Sequence, residues 1–222
     1  SWEDAETLFQ EFGHALHGLN SNVNYPSLAG TAVARDYVEF PSQLLEHWLT
    51  TPEVLNKFAV HYETGKAIPA GLVSRIEAAK NFNQGFGTVE YLLSAIYDMA
   101  IHTAPSPGDL DPIAFEKTTR ESLNAPEEIV LRHRPPHFAH IFSGDSYSAG
   151  YYSYLWADTL TADAGEAFAK SGGYYDKAIA KKLEATIFSV GNSVPPGEAF
   201  RNFRGRDVDT NALMRDRGFP TD

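Results

Sequence analysis

Apolar residues recur along this chain at steps of three and four and almost nowhere at steps of two. That period places them on one side of an α-helix, whereas strands need alternation. Leu8, Phe12, Ala15, Leu16 and Leu19 form such a stripe over 3–19, and Val38, Leu44, Leu45, Trp48 and Leu49 form another over 34–50. Between them, residues 20–30 are rich in Asn, Ser, Pro and Gly and read as a loop. Pro52 opens a third helix to about residue 64, with Thr51 as its N-cap. Two helical patterns fill 72–101, broken near Gly85 and Gly87, and others are expected over 112–124, 147–169, 176–188 and 196–203. The expected fold is mostly α, a multi-helix domain with little or no β-structure, forming one domain over 1–222.

A chain of 222 residues that is 43% apolar can bury a substantial core. Its formal charge of −11 argues against nucleic acid, whose phosphates would be repelled. No apolar run is long enough to cross a membrane. The absence of cysteine excludes disulfides, thiolate metal sites and cysteine nucleophiles together. No targeting segment is visible, and a cytoplasmic location is the expectation. The Pro- and Gly-rich stretch Ala104–Pro112 reads as a surface loop rather than a domain boundary, because helical pattern resumes on both sides.

Chemistry-bearing residues fall into three clusters. The first is Gln10-Glu11-Phe12-Gly13-His14 on the opening helix. In the zinc motif His-Glu-x-x-His, two histidines four apart share a helix face and reach one metal, with the Glu placed as general base. Here the base and the second histidine are present, and Gln10 stands at the first ligand position. Glu-x-x-His alone is common on helices and carries little weight. The second cluster supplies it with a partner. Glu39, 25 positions beyond His14, lies on the second helix, which a loop can return alongside the first. It is the expected third protein ligand. Glu46, two turns further along the same face, is open to two readings: a carboxylate accepting from a ligating ring, or a solvated helix charge.

The third cluster is His140 followed by Tyr147, Tyr151 and Tyr154. Spaced four and three apart, the tyrosines would project their hydroxyls from one helix face, and a phenol can donate to an oxyanion. Core packing is the competing reading, and it is preferred for Tyr152 and Trp156.

The segments Thr7–Gly18, Asp36–Gln43 and Phe138–Trp156 together resemble the M3 metallopeptidases, and the resemblance extends over essentially the whole chain. It implies a zincin-like helical catalytic domain, one zinc ion and hydrolysis of short peptides, as an oligopeptidase or as a peptidyl-dipeptidase removing C-terminal dipeptides. It implies that position 10, His14 and Glu39 are ligands and Glu11 the base. Tyr147 and Tyr154 become oxyanion donors or substrate clamps, with His140 and Tyr151 lining the groove. Arg132 and Arg134 are candidates for the substrate's terminal carboxylate, which guanidinium matches bidentately, or are a surface charge pair.

Two departures stand out. A glutamine oxygen is a weak zinc ligand beside imidazole, so metal affinity and activity are expected to fall. An inactive peptide-binding relative is the alternative. His17 either helps hold a displaced metal or is simply buried. Family members are also several times longer, so the resemblance implies that the opposing N-terminal wall comes from a separate chain, that the site is more open, or that this is an expressed piece. A partner subunit that completes the channel, or self-association through apolar surface left uncovered, is expected.

Overall fold

The computed structural model describes residues 1–105 and 107–221, so Ser106 of the expected loop lies outside the described residues. Eleven α-helices occur among them: α1 (Trp2–Leu19), α2 (Arg35–Glu46), α3 (Pro52–Phe58), α4 (Ala70–Ala79), α5 (Gln84–His102), α6 (Pro112–Ser122), α7 (Ala139–Phe142), α8 (Ser153–Ser171), α9 (Lys177–Leu183), α10 (Pro196–Arg204) and α11 (Asn211–Asp216). No strand is formed among the described residues, and the one β-bridge joins Val60 and Ala67. None of the described helices is long and apolar enough to cross a membrane. The chain packs as two compact units, 1–82 with 155–222, and 83–154.

In the first unit the core is built by Tyr37, Phe40 and Leu44 of α2, by Leu160, Ala164 and Phe168 of α8, and by Leu183, Ile187, Phe200 and Phe203. The chain from α9 continues into a π-helical turn, Glu184–Phe188, that delivers Ile187 to this core. Asp163, fully buried on α8, anchors the segment after α10. It accepts from Arg204 at 2.9 Å, from Arg206 at 2.7 Å and from the backbone N–H of Asp209 at 2.8 Å. Burial pushes its carboxyl upward, but these donors outweigh burial and hold it below the usual carboxylate range.

The second unit encloses a smaller core of Leu93, Tyr97, Leu131, Phe138 and Ile141. Arg134 is committed to an internal ion pair, its Nε lying 3.0 Å from the buried Glu116. The 104–112 loop lies within this unit rather than at a unit boundary.

Several boundaries differ from expectation. α1 does not bury its apolar stripe: Leu8, Phe12 and Leu19 are 67%, 54% and 78% exposed, and the buried positions are Gly13 and His17. The glycine lets that side approach α2 more closely than one lined by leucine could, and that contact decides the helix's orientation. Tyr152 and Trp156, expected in the core, are exposed. α3 stops at Phe58, where the chain turns into the Val60–Ala67 bridge. Thr51 precedes α3, but its hydroxyl donates to the Trp48 carbonyl at 2.7 Å instead of capping. The break before α5 falls at Asn83, in left-handed backbone with φ 55°, so Gly85 and Gly87 sit inside the helix. Asparagine tolerates that conformation because its amide bonds locally. α11 was not expected at all.

His17 is fully buried against Phe188, with ring centroids 5.9 Å apart, and neither ring nitrogen has a hydrogen-bond partner. Burial pushes its pKa down to about 4. As pH falls, the unfolded chain takes a proton near pH 6.5 while the folded chain resists to about 4, so stability is lost across that window. His17→Leu is expected to gain about 1–2 kcal/mol by removing unpaired polar atoms. It should also flatten the acid side of a urea-unfolding profile measured from pH 7 to 4. An unchanged profile would mean that the imidazole is satisfied in solution.

Candidate metal centre and aromatic cluster

The first unit's site is made by the contact between α1 and α2. Gly13 faces Ser42 across it, and a Cβ on Gly13 would lie 2.6 Å from the Ser42 Cα and 2.9 Å from its carbonyl oxygen. Only hydrogen permits that approach. One residue further on, His14 Nε2 reaches Glu39 Oε2 at 3.1 Å. The same oxygen accepts from Gln10 Nε2 at 3.3 Å and from Ser42 Oγ at 3.3 Å. Glu39 is 3% exposed, so this carboxylate is removed from water and satisfied by three side chains. The hydrogen bond to Glu39 raises the His14 pKa above its ordinary value; burial opposes this, and the charges of Glu39 and Glu11 add to it. Glu11 is exposed on α1.

Glu46 lies past Glu39 on α2 but receives nothing from the His14 ring, whose Nδ1 has no partner. Burial, reinforced by the carboxylates of Asp158, Glu6 and Glu39, pushes its pKa up to about 8. Asp158 is itself pushed up to about 6 by burial despite its ion pair with Arg217 at 2.7 Å. Neither reading of the sequence anticipated a carboxyl held so far above its ordinary range.

In the second unit, His140 on α7 gathers the tyrosines. Its ring centroid lies 4.5 Å from Tyr147, 5.6 Å from Tyr151 and 5.7 Å from Tyr154, and its Nε2 is 2.8 Å from the Tyr154 hydroxyl. Tyr147 and Tyr154 stack at 5.3 Å. The three tyrosines share no helix face, because α8 begins at Ser153 and residues 147–152 form turns. Ala149 in left-handed backbone, φ 55°, breaks the helix that the spacing predicts. The rings meet through the turn instead. Burial raises the Tyr151 pKa, and the nearby Arg132 charge opposes it. Arg132 is exposed. Tyr91, which no sequence pattern singled out, stacks on Tyr151 at 5.2 Å.

The chain matches the family model described as Peptidase family M3 over residues 1–219. It belongs to peptidase family M3. It is 39% identical to the dipeptidyl carboxypeptidase of Escherichia coli over 98% of its own length. It is 35% identical to oligopeptidase A of the same organism over 97%, and 33% identical to a thimet-like oligopeptidase of Dictyostelium discoideum over 97%. In each case it spans about a third, 32%, of the relative's length.

Family M3 is zinc-dependent, and the donors of this M3 chain can be weighed against such an ion. His14 and Glu39 converge at a distance where one cation bridges two ligands, which fits. The third donor does not. Gln10 is a neutral amide, and with Nε2 turned to Glu39 it donates where a ligand must accept. Nor is the His14 ring oriented from behind, since its Nδ1 is orphaned. Among the described residues no three His, Cys, Asp or Glu side chains come together to hold a metal. As it stands, the donor set is incomplete for zinc.

The helix contact itself is open to test. Gly13→Ala is expected to cost about 1–3 kcal/mol in denaturant unfolding, because backbone must move to admit the methyl. Gly18→Ala, whose Cβ would meet nothing within 4 Å, serves as the control and should gain roughly 0.5–1 kcal/mol. Equal effects of the two substitutions would show that α1 and α2 are not in close contact.

Proposed function

We propose that this chain is the metal-binding, peptide-hydrolysing portion of an M3 metallopeptidase of the oligopeptidase or peptidyl-dipeptidase type, with activity impaired by Gln10. One observation carries the reading: an imidazole and a carboxylate from two different helices meet at 3.1 Å, with Glu11 three residues before that imidazole on the same helix. Zinc, when bound, would supply Lewis acidity and an acidified water. Glu11, exposed and three residues before His14 on α1, is the group that would take a proton from an attacking water. By the family resemblance alone, Tyr147 and Tyr154 are proposed as donors to the developing oxyanion; within their own unit, His140 Nε2 lies 2.8 Å from the Tyr154 hydroxyl. Tyr151 lines the substrate groove. Arg132 is the remaining candidate for a substrate's terminal carboxylate, since Arg134 is held by Glu116.

Short, unstructured peptides are the proposed substrates, and no nucleic acid is expected given the net charge of −11. A second reading rests on the Gln10–Glu39 hydrogen bond. An amide satisfying the buried carboxylate internally suits a relative that binds peptides without cleaving them. A third rests on length, since the chain spans about a third of its relatives; a partner segment, or self-association, would then complete the channel.

Zinc content and hydrolysis of a quenched peptide, measured on this chain and on Gln10→His, separate these readings. The expected result is sub-stoichiometric zinc and little turnover as written. With histidine, zinc should approach one per chain and turnover should rise at least about a hundredfold, the scale on which ligand-shell changes act. Full zinc and brisk cleavage with Gln10 in place would overturn the ligand argument. Full zinc without cleavage after Gln10→His would favour the incomplete channel.

A further inference from the structure

We propose that Asp98 is a positioning residue for the aromatic cluster, a buried anion that pins the turn carrying Tyr147 and Tyr151. Asp98 lies on α5 and is 1% exposed. Its Oδ1 accepts from the backbone N–H of Ala149 at 3.0 Å and its Oδ2 from that of Tyr151 at 2.8 Å. His102, one turn further along α5, places Nδ1 2.8 Å from Oδ1. Both oxygens of the carboxylate are therefore occupied, and two of its partners are main-chain amides of one turn.

The intervening amide is satisfied differently. Gly150 donates to the Tyr147 carbonyl at 2.9 Å, closing the turn so tightly that a Cβ on Gly150 would lie 3.3 Å from the Tyr147 Cα. The amides of Ala149 and Tyr151 are thus left pointing together, a concavity of backbone N–H groups that favours an anion. Making it requires Ala149 at φ 55°, a conformation that costs an L-residue energy. The carboxylate compensates that cost with two charge-assisted hydrogen bonds. Tyr151 is gripped at its other end as well, because the Tyr91 hydroxyl donates to its carbonyl oxygen. Held at N–H and at C=O, Tyr151 has a fixed backbone, and the ring contacts among Tyr147, Tyr151, Tyr154 and His140 follow from it. Asp98 itself touches none of those rings through any of these bonds. It acts on them only through the turn.

The functional side of this assignment rests on the proposed role of the tyrosines, but its test needs no turnover. Asp98→Asn keeps shape while replacing one acceptor oxygen with a donor that opposes an amide N–H. Amide hydrogen exchange is measured residue by residue on the chain as it exists. The Ala149 and Tyr151 amides are expected to exchange at least about tenfold faster in Asp98→Asn, the effect of losing one charge-assisted hydrogen bond, while the α8 amides of Leu160 and Ala164 keep their rates. Unchanged protection at Ala149 and Tyr151, or acceleration spread equally over the whole chain, would overturn the assignment. The double variant Asp98→Asn with Ala149→Gly guards against misfolding, since glycine adopts positive φ freely. It should recover part of the lost protection, and no recovery would count against the pin. In the Gln10→His background, Asp98→Asn should lower kcat with a smaller change in KM. A failure of that background to bind zinc or to turn over would count against the proposed function or favour its incomplete-channel reading, while leaving the exchange result to decide the role of Asp98.

Discussion

The approach of α1 to α2 at Gly13 and Ser42 is the constraint on which the candidate metal centre depends. Side chains at positions 10 and 14 are four apart and lie above one another on α1, so they face whatever that helix packs against. What they meet is decided by how near the facing backbone comes. With a Cβ excluded at 2.6 Å, the helices touch through main chain, and a carboxylate on α2 reaches an imidazole on α1 without stretching. The same requirement turns the helix so that Gly13 and His17 are buried while Leu8, Phe12 and Leu19 remain outside. The burial of His17, unpaired and held neutral, is a cost accepted in that orientation.

Three buried carboxylates show how differently an anion can be accommodated. Asp163 is met by two arginines and a backbone amide, Asp98 by two backbone amides and His102. Partners of that kind are integral to the fold, and a ligand could displace them only by unfolding a segment. Glu39 is met by the side chains of Gln10, Ser42 and His14. Those donors can turn away at the cost of a rotamer, which is what a carboxylate must allow if it is to trade internal partners for a ligand. Burial alone therefore does not mark a functional acid; the replaceability of its partners does.

Much of this was legible in the residues. Periodicity gave the helical class, and the spacing of His14 and Glu39 anticipated a pairing that the geometry supplies at 3.1 Å. What periodicity misjudged was direction. An apolar stripe says that a helix has two faces, but a glycine at the contact outweighed three larger side chains, Leu8, Phe12 and Leu19, in choosing the buried one. The aromatic cluster was anticipated for the wrong reason. Its spacing of four and three suggested one helix face, yet residues 147–152 are turns, and the rings converge through a left-handed alanine that has no sequence signature. Asp98 and Tyr91 were missed because each acts on main-chain atoms, which carry no pattern in side-chain identity. Gly13 gave no such signal either, because a glycine inside a helical pattern reads first as a loss of helix propensity.

Position 10 shows how fold and chemistry separate. A buried carboxylate demands donors, and a carboxamide donates as well as an imidazole does, so glutamine leaves the packing of α1 on α2 intact. An apolar residue there would strip Glu39 of one of its three donors and destabilise the contact. A ligand site makes the opposite demand on the same position, a lone pair directed at the ion rather than a hydrogen directed at the carboxylate. Glutamine meets the structural demand through its nitrogen and can meet the chemical one only by turning its weaker oxygen inward, breaking the bond to Glu39 as it does so. On the proposed reading, a histidine could meet the two demands in turn with one ring nitrogen, by keeping or losing its proton without turning, whereas glutamine must rotate its amide to exchange one for the other.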